Sequence, residues 1–481
     1  YITSGDVNLN SISVLSGASV EVSSDNVLSI GSSINNNGTF TFKSDANGSA
    51  QLADATGATI TGDVTVERFI PAGDNVLRAF RFLSTAVNSN GTIRENWQEG
   101  ASSNTDDPNP GFGTHITGTD AADGTDGFDA TGSGNPSLLV YDNPTQDWSF
   151  ISDTDPTKLE AGHAYNLFVR GDRGVDLTAS SANQTPTNTR LRSTGDLVTG
   201  SLTTGSELPT LASGNEEWSF IGNPYQAIVD YSQLTFTGDI KNTILVRWNP
   251  NTGTQGSYES IDDATPADQM IQPGQSFFVQ NSGTVNTPPT IEFTESAKNT
   301  SGTVTSVFNT NNVAVANLEL YDTNDTKLDV MKFRFEAGAD NGLDDYDAGK
   351  LGNPTENLAS VNGSTLLSIE RRAIPSATDT IPLFINQYQF TDYEFQLNTS
   401  NWDDSIDVYL KDDYLDEVTP LGADDTFSFT VDANIPESIA TDRFSLIFEN
   451  TTLGVNDNES AKQINLYPNP TEGQFTIQSQ D

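Results

Sequence analysis

The sequence predicts an all-β protein made of several β-rich units, and three observations support this fold class. Thr, Ser, Asn, Asp and Gly are abundant among the 481 residues, and β-branched side chains suit a pleated sheet whereas Asn, Asp and Gly favour turns. Short stretches of alternating apolar and polar residues recur between these turn residues. The length suggests about three folding units at roughly 150 residues each.

Residues 1–70 consist of very short alternating strands, for example around Val20 and Val22 and around Phe40 and Phe42. Gly- and Asn-rich turn clusters separate them at spacings of mostly 5 to 12 residues. Such spacing suits the rungs of a β-solenoid or a tight meander, in which neighbouring layers stack over a narrow core. An ordinary antiparallel sheet is the alternative.

Residues 71–300 predict a central β-rich domain with two related halves. The segments 138–170 and 244–280 each contain a strand, an Asn-Pro turn, an aromatic strand, a Gly turn and a further strand, in that order. Matching positions lie 106 to 112 residues apart, as loop insertions would produce. One short helix is expected over residues 92–98.

Residues 301–450 predict a β-sandwich, because eight or so alternating strands follow one another with turn signals between them. Residues 451–463 form a polar stretch without an apolar period, which we interpret as a linker. Residues 464–481 then contain an apolar strand, a Pro-rich turn and a second short strand.

The charge balance excludes several classes of partner. The chain has 66 acidic and 22 basic residues and a formal net charge of −44, so its surface repels nucleic acids and anionic lipids.

The chain has no cysteine, which excludes disulfides, thiol catalysis and thiolate metal sites. No apolar run approaches the ~20 residues needed to cross a bilayer. The sequence begins at Tyr1 without a Met or an apolar leader, so we expect a processed or trimmed N-terminus.

Three groups of closely spaced acidic residues are candidate ligands for a hard cation. Ca²⁺ prefers about six to eight oxygen ligands, which Asp side chains and loop carbonyls supply. The groups are Asp120, Asp123, Asp126 and Asp129; Asp322, Asn324, Asp325 and Asp329; and Asp340, Asp344, Asp345 and Asp347. The alternative for each group is a solvated acidic loop. We expect Ca²⁺ to stabilise the protein, because crowded carboxylates repel one another unless a cation or salt intervenes.

The sequence offers little for catalysis, and we expect neither enzymatic activity nor an organic cofactor. Its two histidines are His115, in a Gly-flanked loop, and His163, which stands where the second repeat has Gln275 and which we therefore expect to be structural. No nucleophile elbow, zinc-protease motif, P-loop or dinucleotide-binding motif occurs. A glycosidase needs only two carboxylates, and nothing marks a pair among the 66 acidic residues.

The five tryptophans are either core residues or platforms for a sugar ring. Trp148 and Trp218 lie in alternating strands beside Phe and Ile, which favours core packing. Trp402 precedes two aspartates and is the tryptophan that we expect to be exposed. It is therefore the candidate glycan contact.

The segment Tyr467-Pro468-Asn469-Pro470, between an apolar strand and a second short strand, resembles the start of the C-terminal sorting domain of type IX secretion cargo. In that family, the sorting domain is a small β-sandwich that the export machinery recognises and that is usually replaced by a lipopolysaccharide anchor. The resemblance covers about 18 residues and stops at the last one, Asp481. It implies export to the cell surface or exterior of a Gram-negative bacterium.

Other segments, among them residues 65–70 and 218–225, are similar to short sequence segments of large surface proteins exported by the same route. Asp-Thr-Ile at Thr380 and Asp-Ser-Ile at Ser405 resemble the O-glycosylation acceptors of the same bacteria. These likenesses concern location rather than activity.

The function expected from these observations is that of a secreted, non-catalytic, adhesin-like or scaffolding surface protein. Its partners would be the secretion machinery and either a surface glycan or further copies of itself, without nucleic acid or direct membrane insertion. A structural subunit of an extracellular filament or sheath is one alternative. A carbohydrate-binding accessory module is another, because β-sandwiches host all three roles.

Overall fold

The structure is a computed structural model that describes residues 2–3, 5–72, 79–119, 125–131, 134–177, 187–253, 255–264, 266–283, 288–301, 313–402, 406–422, 425–450, 465–467 and 476–478. These residues form an all-β fold with one short α-helix, which confirms the predicted fold class. No helix within these ranges has the length and apolar character needed to cross a membrane.

The N-terminal unit consists of two parallel sheets that the chain visits alternately. Its strands are β1 (Ile2–Thr3), β2 (Val7–Val14), β3 (Ser19–Val22), β4 (Val27–Asn36), β5 (Thr39–Phe42), β6 (Ser44–Asp45), β7 (Gly48–Ser49), β8 (Gln51–Leu52), β9 (Thr59–Thr61) and β10 (Val64–Ile70). One sheet has the order β1-β3-β5-β10, and in the other β2, β8 and β9 pair with β4.

Every pairing within these two sheets of the N-terminal unit is parallel. Alternation along β3 and β5 turns Val20, Val22, Phe40 and Phe42 into the narrow core between the sheets. Parallel stacking of successive turns is the arrangement of a solenoid. Of the forms expected for this segment, the structure therefore has the β-solenoid.

Two consecutive units with the same arrangement of strands follow the solenoid. The first contains β11 (Ala79–Leu83), β12 (Val87–Ser89), β13 (Leu138–Asp142), β14 (Asp147–Phe150), β15 (Tyr165–Val169) and β16 (Thr189–Leu197). The second contains β17 (Leu202–Thr203), β18 (Trp218–Gly222), β19 (Val229–Asp230), β20 (Thr235–Thr237), β21 (Leu245–Asn249), β22 (Ser257–Ile261), β23 (Met270–Ile271), β24 (Ser276–Gln280) and β25 (Thr290–Phe293).

The strand orders of the two units correspond in two sets of strands, whereas the β19–β23 pair of the second unit matches only a single bridge, Thr92–Lys158, in the first. A four-stranded sheet has the order β11-β15-β13-β14 in the first unit and β18-β24-β21-β22 in the second. A second set of three strands has the order β10-β16-β12 in the first unit, where it continues a solenoid sheet, and β17-β25-β20 in the second. The related halves predicted from the sequence are thus present as a duplicated fold.

The short helix expected over residues 92–98 is α1 (Ile93–Trp97). Thr92 caps its first turn, because the Thr92 side chain accepts from Glu95 N and the Glu95 side chain accepts from Thr92 N. Short 3₁₀ turns lie at Thr125–Gly127, Tyr231–Gln233, Pro266–Gln269 and Glu295–Ala297.

A reciprocal pair of backbone hydrogen bonds joins the two duplicated units. Ser84 N donates to Gly274 O at 3.0 Å, and Gly222 N donates to Gly162 O at 2.8 Å. The strand registers place Ser84 and Gly222 at equivalent positions, and likewise Gly162 and Gly274. Each unit therefore binds the other as two copies in a twofold-symmetric dimer would.

An aromatic core lies between the two four-stranded sheets. Phe82 of β11 and Phe220 of β18 are equivalent residues whose ring centroids lie 4.6 Å apart, and Phe278 stacks on Phe220 at 4.5 Å. The cross-strand pairs that flank them are Tyr141–Trp148 and Trp248–Tyr258, each with centroids 5.1 Å apart. Trp218 also packs against this cluster, so the core role expected for Trp148 and Trp218 agrees with their contacts.

The C-terminal unit is one eleven-stranded sheet. Its strands are β26 (Ala314–Asp322), β27 (Lys327–Phe335), β28 (Ala348–Gly349), β29 (Asn357–Asn362), β30 (Thr365–Arg372), β31 (Thr380–Asn386), β32 (Asp392–Ser400), β33 (Ile406–Asp412), β34 (Glu417–Pro420), β35 (Thr426–Thr430) and β36 (Phe444–Asn450). The order is β34-β33-β36-β31-β29-β30-β27-β26-β32-β35, with β28 beside β30. Phe444 of β36 contacts Phe395 and Phe429, near the opposite end, at 5.3 and 4.8 Å.

The sheet therefore folds over one core in the manner of a sandwich, but its two halves are hydrogen-bonded to each other through β31. The first three residues of β31 pair with β36 and its last four pair with β29. Pro382 stands at the change of partner, where its missing N–H removes one bond from the ladder. The β27–β30 pair is parallel, so at these two points the structure differs from a sandwich of two separate antiparallel sheets, the usual form of the fold predicted for residues 301–450.

Polar contacts fix the solenoid and the C-terminal sheet to the second duplicated unit. On the solenoid side, Leu52 N donates to Gln226 O and the Gln226 amide donates to Ala50 O, both at 2.7 Å. On the other side, Lys241 Nζ donates to Asp347 O at 2.7 Å, and Tyr258 N donates to Asn353 Oδ1 at 2.8 Å. These contacts are largely buried, so the units form one continuous body.

Near the end of the chain, β37 (Asn465–Tyr467) and β38 (Thr476–Gln478) pair in antiparallel orientation. The two strands expected in residues 464–481 are therefore present. Pro468, Asn469 and Pro470 of the proposed sorting signal, together with the linker 451–463, lie outside the described residues.

Candidate functional site

The feature that we single out as a candidate binding site is a cleft of about 420 Å³ between β10, β11 and β21, here called the arginine cleft. Arg68 from β10, Arg81 from β11 and Arg247 from β21 line it. Trp248 and Gln272 contribute to its wall. Three guanidinium groups in one cleft are notable in a chain of net charge −44.

Arg68 is half-buried, and its charge is balanced by no carboxylate among the described residues. Its Nη1 donates to Pro273 O at 3.0 Å. Its methylene stem lies against Gly274, where an added Cβ would stand 3.5 Å from Arg68 Cδ. Desolvation by the surrounding protein lowers the pKa of Arg68 to about 10, so the side chain stays charged at neutral pH.

Arg81, on β11, is likewise half-buried and forms no salt bridge with a described carboxylate. Its Nη1 donates to Phe80 O at 3.1 Å, and burial lowers its pKa to about 10 with no acidic group acting against the shift. By contrast, eight other arginines of the described chain form salt bridges: Arg94, Arg173, Arg192, Arg247, Arg334, Arg371, Arg372 and Arg443. Arg68 and Arg81 thus keep unused donors beside an open cavity.

Arg247 supplies the third guanidinium, and it has an acidic partner. Arg247 and Glu259 are directly opposite each other on β21 and β22, and Arg247 Nε donates to Glu259 Oε2 at 2.7 Å. The cleft therefore carries three arginines against one glutamate. Its net positive charge makes it suited to an anionic group.

A second cleft, of about 310 Å³, lies between the second duplicated unit and the C-terminal sheet, but its basic residues are already paired with carboxylates. Lys332 Nζ contacts Asp262 at 3.0 Å, and Arg334 contacts Asp262 at 3.4 Å and Asp263 at 2.5 Å. Asp262 is fully buried. These residues form an ion-pair network that joins two units, which makes this cleft a structural junction.

The first predicted calcium group does not assemble among the described residues. Asp120 and Asp123 lie outside them. Asp126 is exposed on a left-handed turn with φ 51°. Asp129 is buried and accepts two hydrogen bonds from Arg173, at 2.7 and 2.9 Å, so its carboxylate is a partner for a guanidinium rather than a free ligand.

In the second and third groups, the buried and half-buried carboxylates accept hydrogen bonds from protein donors. Asp322 Oδ1 accepts from the backbone N–H groups of Asn324 and Thr326. Asp329 accepts from Lys350 at 2.5 Å. Asp344 accepts from Arg371 at 2.7 Å, and Asp347 accepts from two backbone N–H groups.

Asn324, Asp325, Asp340 and Asp345 are exposed. Within the described ranges, no set of three or more His, Cys, Asp or Glu side chains is placed to hold a metal ion. Calcium binding therefore stays a prediction.

Both histidines lie close to a carboxylate. His115 is fully buried, with Nδ1 3.4 Å from Asp129 Oδ2 and Nε2 close to the carbonyl oxygens of Arg173 and Val175. His163 Nε2 lies 2.9 Å from Glu160, and burial lowers the pKa of His163 although Glu160 acts against the shift. The structural role expected for His163 agrees with these contacts.

Trp402, expected to be exposed, is instead half-buried against the core of the C-terminal sheet. Its ring meets Phe335 edge-on at 5.3 Å, and its Nε1 donates to Ile406 O at 2.9 Å. The expectation failed because the flanking aspartates do not determine where the indole points. Thr380 is exposed at the start of β31, as an O-glycosylation acceptor must be, whereas Ser405 lies outside the described residues.

Sequence reasoning did not find the arginine cleft. Its residues are far apart in the chain, because Arg68, Arg81 and Arg247 belong to three different strands. The signal present was the scarcity of basic residues: the chain has 22 of them against 66 acidic ones, so an arginine on a predicted strand was a candidate for ligand contact.

Residues 135–448 match the sequence profile of a family described as a domain of unknown function, DUF8693. The match includes most of the duplicated units, together with the C-terminal sheet. No curated protein and no solved structure shows significant similarity to the chain.

Proposed function

The chain belongs to the DUF8693 family, and from that premise we propose that it is a secreted, non-catalytic, adhesin-like scaffolding protein of a bacterial cell surface. The observation that carries the proposal is the continuity of the fold. A solenoid, two duplicated units and a folded sheet are joined by fixed polar contacts. A body of this kind holds a binding surface at a constant position.

The terminal segment supports the surface location. Tyr467-Pro468-Asn469-Pro470 resembles the start of a type IX sorting domain, and its first residue, Tyr467, ends β37, which pairs with β38. The net charge of −44 supports an extracellular role without nucleic acid. On this proposal, the secretion machinery is the partner of the terminal segment.

The location is tested in the native bacterium with antibodies applied to intact cells. We expect surface labelling of the natural protein and loss of labelling when Tyr467, Pro468, Asn469 and Pro470 are all replaced by alanine. Replacement of Ser479 and Gln480 by alanine is the matched control and should leave labelling unchanged. A natural protein found only in the cytosol would overturn the proposal.

The arginine cleft favours a second candidate function, that of a carbohydrate-binding accessory module, because aromatic and amide side chains line it beside the arginines. The two functions differ in genetic context and in binding. An accessory module would be joined to a degradative enzyme and would lose glycan binding when the cleft is altered. A filament subunit remains a further alternative, which size-exclusion chromatography distinguishes by the appearance of polymers.

A further inference from the structure

We propose that the arginine cleft is a binding site for an acidic saccharide, a sugar that carries a carboxylate or a sulfate group. This inference depends on the residues of the cleft and not on the cellular location of the chain. The anionic group would lie between Arg68 and Arg81, and the sugar ring would lie against Trp248 and the amide side chains beside it.

The guanidinium groups determine the charge of the ligand. Each guanidinium has five N–H donors in a planar fork that matches a carboxylate or sulfate with two parallel bonds. The contacts described above use one nitrogen of Arg68 and one of Arg81, each on a neutral backbone carbonyl. An oxyanion between them would compensate for the desolvation of both charges, in a place where water screens them poorly.

The wall of the cleft determines the remainder of the ligand. Trp248 is half-buried in the cleft, and an aromatic ring packs well on the apolar face of a pyranose. Asn249, Gln272 and Gln275 supply amides of both hydrogen-bonding types for sugar hydroxyl groups. The combination of an aromatic ring, amides and guanidinium groups suits a saccharide better than a bare inorganic anion.

The charge of the whole chain limits how acidic the ligand is. A net charge of −44 repels a densely charged polyanion at long range. Contacts within the cleft act over a few ångströms and favour one anionic group at a time. We therefore expect sparsely charged saccharides to bind better than highly sulfated ones.

Isothermal titration calorimetry on the purified chain tests the proposal with three matched probes: glucuronate, glucose 6-sulfate and glucose. Binding of the first or the second, and not of glucose, is the expected result, and the comparison decides between carboxylate and sulfate. Inorganic sulfate should compete with the saccharide that binds. Binding of glucose as tight as that of both acidic sugars, or no binding at all, would overturn the proposal.

Variants then assign the binding to the cleft. Arg68→Gln and Arg81→Gln should each weaken binding about tenfold or more, because each leaves the anion without one of its charged partners. Lys411→Gln removes one positive charge from an exposed salt bridge on the C-terminal sheet and should leave affinity unchanged. Arg81→Lys keeps the charge but loses the fork, so it should bind more weakly than wild type and more tightly than Arg81→Gln.

Melting temperatures of all variants show whether they are folded, and competition by sulfate in the unaltered chain requires no variant. Affinities of Arg68→Gln and Arg81→Gln equal to that of wild type would show that the saccharide binds elsewhere and would overturn the assignment. Failure of the location experiment would leave this result unaffected, because the purified chain binds or fails to bind regardless of export.

Discussion

Asp129 shows how one side chain can fit two interpretations that only its partners separate. In the sequence it is the last of four aspartates that recur every third residue, which suggests a calcium loop. In the structure its carboxylate faces Arg173, 44 residues further along the chain, with both groups buried. An ion pair between residues 44 positions apart depends on the tertiary fold, so the spacing of the aspartates does not predict it.

Replacement of Asp129 by asparagine should destabilise the protein by about 3–5 kcal/mol, because it leaves the Arg173 charge buried without its counter-charge. Urea unfolding followed by tryptophan fluorescence measures the change. Asp126→Asn is the matched control, since Asp126 is exposed and asparagine tolerates its left-handed backbone. Its effect should stay within about 0.5 kcal/mol. Equal effects of the two substitutions would contradict the structural role of the ion pair.

The same carboxylate predicts a loss of stability in acid. Burial alone would raise the pKa of Asp129, but hydrogen bonds and charge from Arg173 and His115 outweigh it and lower the pKa from 3.8 to about 2. A folded-state pKa below the unfolded one stabilises the fold above pH 3.8, and this contribution of about 2 kcal/mol disappears as the pH falls towards 2. Asp129→Asn should lack this step in a series of unfolding curves from pH 5 to pH 2.

Asp347 predicts the opposite dependence. Burial raises its pKa to about 6, assisted by the nearby charges of Asp344 and Glu370 and opposed by two backbone N–H donors. Its protonated form therefore favours the fold at low pH, and that contribution of about 3 kcal/mol is lost as the pH rises from about 4 through 6.

Unfolding midpoints at pH 4, 5, 6 and 7 test this dependence. Asp347→Asn should flatten the decline that wild type shows over this interval. Asp345→Asn, at an exposed position, should keep the wild-type slope, and a slope unchanged in Asp347→Asn would contradict the assignment.

At the scale of elements, the duplicated unit was predictable because its strands alternate and its turns carry Asn-Pro and Gly. An alignment of the two halves by their Asn-Pro pairs is nevertheless wrong by one residue in β13 and β21. Aligning the Asn-Pro pairs equates Val246 with Val140, whereas pairing to β24 and β15 equates it with Leu139. Asn143 follows the end of β13, but Asn249 is the last residue of β21. The Asn-Pro pair therefore stands at a different position relative to the strand in each half, because the turns differ in length.

The contact between the units was not predictable, because backbone groups form it and three of the four residues are glycines. Gly222 lies so close to Ser84 that an added Cβ would overlap the Ser84 side chain and stand 2.8 Å from His163 O. Likewise, β31 could be recognised as a strand, but the change of partner at Pro382 depends on how the whole sheet closes.

Gly222→Ala should therefore destabilise the packing of the two duplicated units by about 1–3 kcal/mol, as overpacking of a filled interior does. Gly352→Ala is the control, because the nearest atom to its added Cβ, Asn357 Oδ1, is 4.0 Å away. Thermal unfolding of both variants measures the difference. A Gly222→Ala protein as stable as the control would mean that the units are not held in contact at this point.

At the scale of the whole molecule, excess negative charge opposes the compact state. The formal charge of −44 is spread over a chain with 66 acidic residues, and like charges within about 8–10 Å repel at physiological ionic strength. Buried ion pairs offset part of this repulsion, among them Asp129–Arg173, Asp412–Arg443 and Asp329–Lys350. Exposed aspartates such as Asp325, Asp340 and Asp345 form no salt bridge with another described residue, so their repulsion depends on the solvent.

The melting temperature should accordingly rise with NaCl, because screening shortens the range over which the exposed carboxylates repel. Calcium tests a further prediction: if carboxylates bind it as ligands, CaCl₂ should raise the melting temperature beyond NaCl of the same ionic strength, and a chelator should reverse only that excess. Screening alone depends on ionic strength and would give one curve for both salts. Coincident curves would contradict the calcium prediction while leaving the screening argument in place.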